Sequence, residues 1–169
     1  MTKFADAIRA AIIVCAACIA FAPMTARPQG IQSPEAFAGF RMGTDYKLSR
    51  WDTIVKYFRH VDERSDRMVV RELGKTTGGR PFIMAEISAP ETVSNFARFR
   101  EMQRKIADPR LIGDAEEERG LLAEGKAVLF INCNIHSTEI ASSQMALELL
   151  HELATGDSPE IREILANII

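Results

Sequence analysis

The feature that most constrains the fold is an uninterrupted apolar run, Ala-Val-Leu-Phe-Ile, at residues 127–131. It follows Gly125-Lys126 and ends in polar Asn132. Apolar residues without polar alternation are typical of a strand buried on both faces of a sheet. A helical pattern begins a few residues later and ends at Gly156. This strand–loop–helix order predicts an α/β fold with a mixed, largely parallel sheet and flanking helices.

The remaining elements are predicted from periodicity and from capping residues. In chain order they are a helix from Ser49, its cap, to about Asp62; two hairpin strands at 68–73 and 82–87; helices at 91–107 and 114–123; a helix capped by Ser158 with Pro159 as its first residue; and the beginning of a strand at 166–169. The apolar face of the first helix consists of Trp51, Ile54, Val55 and Phe58. The face predicted for the helix before Gly156 consists of Ser142, Ala146, Leu149, Leu150 and Leu153.

The amino terminus has the pattern of a secretory signal peptide. Lys3 and Arg9 precede an apolar run at residues 10–22, which Pro23 closes well short of the about 20 residues that a membrane-spanning helix needs. We expect cleavage near Ala26, a secreted or periplasmic location, and no stable membrane anchor afterwards. Cys15 and Cys18 lie inside the apolar run and are rejected as metal ligands.

Composition narrows the classes of partner. The chain is 47% hydrophobic with a formal net charge of -2, which argues against both disorder and a broadly basic, nucleic-acid-binding surface. The cations around residues 98–110 alternate with acidic residues, so we interpret them as a solvated helix face. After the signal at 1–26, residues 27–48 contain several Pro and Gly and are predicted to form an extended lead-in to a domain at 49–169.

Two His-x-x-Glu pairs are the candidates for a metal site, because zinc accepts both imidazole and carboxylate ligands. His60 and Glu63 lie near the end of the first helix, off its apolar face, and are expected to point to water. His136 and Glu139 instead follow the predicted buried strand and precede the next helix. Ligands of open α/β sheets bind at the carboxyl ends of strands, so the second pair is the better candidate.

The sequence resembles the zinc carboxypeptidase family, the carboxypeptidase A-like metallopeptidases. The resemblance rests on Gly-Lys-Thr-Thr-Gly-Gly-Arg-Pro-Phe at 74–82, on the apolar run at 127–131, and on Ile-His-Ser-Thr-Glu-Ile at 135–140. It implies that residues 49–169 are the amino-terminal part of a catalytic domain, with His136 and Glu139 as the first two zinc ligands. The third ligand and a glutamate general base are expected beyond Ile169. Thr138 stands where many members have Arg before the ligand Glu.

The function implied by the resemblance is a zinc-dependent metallocarboxypeptidase that hydrolyses peptide bonds of a peptide or protein substrate with a metal-activated water. Because the chain supplies two ligands of three, we expect it to be inactive alone. Two alternatives remain open: a related zinc deacylase with the same ligand pattern, and a non-catalytic exported binding module.

Overall fold

A computed structural model describes residues 30–169 of the chain. The predicted signal peptide and its cleavage position lie outside these residues. Within them, no helix is long and apolar enough to cross a membrane. The helices are α1 Pro34–Ala38, α2 Trp51–Asp62, α3 Pro90–Val93, α4 Phe96–Ala107, α5 Ala115–Glu124, α6 Ile140–Thr155 and α7 Pro159–Asn167, with a 3-10 turn at Pro109–Leu111. The strands are β1 Met68–Lys75 and β2 Pro81–Ile87.

The predicted hairpin is present. Strands β1 and β2 pair antiparallel, with Met68 opposite Ile87 at one end and Lys75 opposite Pro81 at the other. The register shifts between Glu72 and Gly74, where Gly74 adopts a φ of 137° that side-chain-bearing residues rarely tolerate. This two-stranded antiparallel sheet corrects the prediction of a largely parallel sheet, since parallel pairing in the described part of the chain is confined to one bridge.

That bridge lies at the apolar run, which was predicted to form a strand buried on both faces. The prediction was wrong, because most of the run is exposed. Ala127 pairs in parallel with Ile168, and the Leu129 N–H donates to the carbonyl of Ile169 at 2.9 Å. Beyond this one neighbour the run is uncovered: the side chains at 128–131 are between 50% and 74% exposed. An apolar run is buried on both faces only where strands and helices cover it. No strand or helix within residues 30–169 covers this run on both faces.

The main core lies between α2, α6 and the hairpin. Its buried members are Ile54, Tyr57, Val61, Met68, Leu147, Leu150 and Ala154. Helix α6 therefore buries a different face from the predicted one, and of the predicted residues only Leu150 is fully buried. The buried face includes the polar Gln144, whose amide bonds to the backbone at Gly43 and Lys47, so hydrophobicity alone pointed to the wrong side of the helix.

Several helix boundaries agree with the local signals. Helix α2 ends at Asp62, the Asp114 carboxylate caps α5, and the Ser158 hydroxyl caps α7 with Pro159 in its first turn. At the amino end of α2 the cap is Arg50, not Ser49. The Ser49 hydroxyl instead contacts the Met42 sulfur at 3.7 Å.

Two further segments differ from prediction. The segment 91–107 forms two helices, because the Asn95 side chain donates to the Glu91 carbonyl at 2.8 Å and competes with helix continuation there. The lead-in at 27–48, as far as it is described, is not wholly extended, since it contains α1. That helix has a Ser33 cap, Pro34 in its first turn and left-handed Gly39 at its end.

Candidate metal centre

The loop that carries His136 and Glu139 connects the apolar run to α6. Glu139 is the residue at the amino-terminal cap of α6, but its carboxylate makes no capping hydrogen bond. A tight turn joins the pair, because the Glu139 N–H donates to the His136 carbonyl at 3.0 Å. The carboxylate is therefore available to its neighbour in space instead of to the helix end.

The two predicted ligands lie side by side. His136 Nδ1 is 2.7 Å from Glu139 Oε1, and the His136 N–H donates to Oε2 of the same carboxylate at 3.4 Å. Both side chains are more than half exposed, at 71% and 54%. A contact this exposed stabilises the fold little, and both groups are accessible to a ligand.

Asn134, which no sequence pattern singles out, holds this loop against α6. Its φ of 59° is left-handed, a conformation in which Asn is enriched among residues other than Gly. The Asn134 side-chain N–H donates to the Glu139 carbonyl at 3.1 Å, and its Oδ1 accepts from the Ser142 hydroxyl at 3.0 Å.

The pair fits one side of a zinc site. Ligand atoms about 2.0–2.1 Å from a tetrahedral zinc ion lie about 3.3 Å from one another. The 2.7 Å separation of Nδ1 and Oε1 would therefore have to widen by about 0.6 Å to admit the ion, which two exposed side chains can do by rotation. No third His, Cys, Asp or Glu joins them within residues 30–169, so the part described here brings together two ligand side chains.

The other His-x-x-Glu pair has a different environment from the one predicted. His60 does not point only to water: its Nε2 accepts from the Gln32 N–H at 3.1 Å, and its ring lies 5.2 Å from that of Phe37. The Tyr57 hydroxyl donates to the carbonyl of the same Gln32 at 2.9 Å. Burial lowers the pKa of His60, and the positive charge of Arg64 lowers it further. The negative charge of Glu63 offsets part of this decrease. His60 is therefore a structural contact, while Glu63 is exposed and pairs with Arg64.

The cations of α4 and its surroundings are paired with carboxylates. Arg98 contacts Glu124, Arg100 contacts Glu86, Arg104 contacts Glu101, Lys105 contacts Glu117 and Arg110 contacts Asp108. Hydrogen bonding to Arg104 holds the pKa of Glu101 below its ordinary value, and Lys105 does the same for Glu117. These contacts fit the interpretation of a solvated helix face.

In a comparison with known families, the model of the zinc carboxypeptidase family matches residues 54–169. Neither the curated proteins nor the solved structures gave a match. The matched range covers more than half of the 169 residues and includes the hairpin, the apolar run and the His136–Glu139 loop. The chain therefore belongs to the zinc carboxypeptidase family.

Proposed function

We propose that His136 and Glu139 are two of the zinc ligands of a metallocarboxypeptidase that hydrolyses peptide or protein substrates. The observation that carries the proposal is the 2.7 Å approach of an exposed imidazole nitrogen to an exposed carboxylate, in a member of this family. Zinc, when bound, supplies an activated water and polarises the scissile carbonyl. His136 would hold the metal through Nδ1, and Glu139 through its carboxylate.

The surrounding residues keep these two groups in position. The His136 N–H orients one carboxylate oxygen, and Asn134 fixes the backbone of Glu139 to the start of α6. Hydrogen bonds from neighbouring groups to the residues that carry the ligands are a common feature of metal sites.

A metal titration with matched variants tests the proposal. We expect one weak zinc or cobalt site in the chain, lost in His136→Ala and in Glu139→Gln and kept in His151→Ala, which removes a histidine of α6 that lies away from the loop. With two protein ligands we expect no hydrolysis of peptides. Metal binding unchanged in His136→Ala would contradict the proposal. Hydrolysis of an N-acyl amino acid but not of a peptide would favour the deacylase alternative. A folded chain that does not bind zinc would favour the non-catalytic binding module.

We further propose that the protein is exported and that the signal peptide is removed near Ala26. The support is the basic start followed by the short apolar run at 10–22. Expression in a bacterium with a periplasm should give a processed product whose first residue lies at or next to Arg27, as read by amino-terminal sequencing. An unprocessed product confined to the cytoplasm would count against export.

A further inference from the structure

Two adjacent serines of α6 contact the loop that carries the metal pair. Residues 135–140 are all exposed, whereas Ser142 and Ser143, in the first turn of α6, and Asn134, just before the loop, are half-buried. A segment with little buried apolar surface opens easily unless hydrogen bonds hold it. The position of His136 and Glu139 therefore depends on the hydrogen bonds that these three half-buried residues make.

The Ser142 hydroxyl joins the two ends of the loop. Its Oγ accepts from the Asn134 N–H at 3.1 Å. The same Oγ lies 2.8 Å from the Glu139 carbonyl and 3.0 Å from Asn134 Oδ1, and its single proton can be donated to either oxygen. The backbone before His136 and the backbone of Glu139 are therefore fixed to one side chain.

Ser143 fixes the orientation of the Asn134 side chain. The Ser143 hydroxyl donates to Asn134 Oδ1, so this oxygen keeps a donor when Ser142 donates to Glu139 instead. With Oδ1 held by a serine, the amide nitrogen faces the Glu139 carbonyl and donates to it at 3.1 Å. The two serines thus support Asn134 from its backbone and from its side chain.

A local helix contact does not account for Ser142. Ser94, at the end of α3, makes the local contact alone: its hydroxyl donates to the carbonyl three residues earlier, Glu91, at 3.0 Å. Ser142 makes the same bond to Glu139 and in addition accepts the N–H of Asn134, eight residues away. The second bond spans the loop that carries the metal pair.

We propose that Ser142, supported by Ser143, is a positioning residue that holds His136 and Glu139 side by side for a metal ion. The proposal rests on the proposed function, because it takes these two residues to be the ligands. Ser142 acts through the backbone of Asn134 and Glu139 and does not touch the metal. Loss of a supporting hydrogen bond of this kind typically lowers metal affinity 10- to 100-fold.

Zinc titration of matched variants tests the positioning role. We expect Ser142→Ala to weaken zinc binding about tenfold or more. Ser142→Thr keeps the hydroxyl and should bind zinc as the wild type does. Ser94→Ala removes the equivalent local bond from α3 and should also leave zinc binding unchanged. Unchanged affinity in Ser142→Ala, or an equal loss in Ser142→Thr or in Ser94→Ala, would overturn the proposal.

Amide hydrogen exchange without metal tests the same role independently of zinc. The Glu139 N–H, which donates to the His136 carbonyl, should exchange faster in Ser142→Ala than in the wild type or in Ser142→Thr. The Leu147 N–H in the main core should not change, which shows that the variant is folded. If His136→Ala keeps zinc binding, the zinc site is rejected. The Glu139 exchange then decides the positioning role: faster exchange in Ser142→Ala alone supports it, and unchanged exchange overturns it.

Discussion

At the scale of single residues, His60 links α2 to the segment before α1. Its Nε2 accepts a hydrogen bond from the Gln32 N–H, and the Tyr57 hydroxyl donates to the Gln32 carbonyl. Two side chains one helical turn apart therefore bind the backbone of the same residue. Burial raises the pKa of Tyr57, so its hydroxyl remains a donor. A protonated imidazole has no acceptor and would face the Gln32 N–H with another N–H. This contact is therefore sensitive to acid.

The sign of the pH dependence follows from the lowered pKa of His60. The unfolded chain, with an imidazole pKa of about 6.5, takes up a proton before the folded one does. The stabilisation from this contact is complete above that value and is lost as the pH falls through the lowered folded pKa. We expect the free energy of unfolding in urea to fall between pH 7.5 and 5 by more in the wild type than in His60→Gln.

His151→Gln is the control for that measurement, because it removes a histidine from α6 without touching Gln32. It should keep the wild-type pH dependence. An identical pH dependence in the wild type and in His60→Gln would show that the Gln32 contact does not couple to protonation.

At the scale of elements, the exposed run at 127–131 has a testable consequence. Phe130 is 74% exposed, so Phe130→Lys should change the free energy of unfolding by no more than about 0.5 kcal/mol. It should also reduce self-association in sedimentation velocity, because it places a charge on an uncovered apolar segment. Leu147→Ala, at a residue 1% exposed in the main core, should cost about 2–5 kcal/mol.

Urea unfolding of the two variants distinguishes the observed arrangement from the predicted one. If the run were buried on both faces, a charge in place of Phe130 would lower the free energy of unfolding by several kcal/mol. If Phe130→Lys lowers the free energy of unfolding as much as Leu147→Ala does, the run is buried in solution and the arrangement described here is wrong.

Elements were predictable where their signals are local. The hairpin follows from strand residues around a Gly-rich turn, and α7 follows from Ser158 and Pro159, because a cap acts within one turn. The buried face of α6 was not predictable, since it depends on Gln144 meeting a segment about a hundred residues earlier in the chain. Burial of residues 127–131 depends in the same way on what covers them.

At the scale of the whole molecule, membership in the zinc carboxypeptidase family rests on residues 54–169 taken together. The candidate site was found from sequence because the His136–Glu139 spacing coincided with a strand-like run and a helix start. The supporting role of Asn134 was not found, since a left-handed backbone and its bonds to α6 are visible only in three dimensions.

The central claim is that His136 and Glu139 bind zinc together. The most direct measurement is ¹⁵N NMR of the histidine side chains during zinc addition, because the chain has only three histidines. We predict that the His136 Nδ1 signal moves to the position of a metal-bound nitrogen, that His60 and His151 do not move, and that Glu139→Gln weakens the effect. A zinc-dependent change at His60 or His151 with none at His136 would contradict the claim.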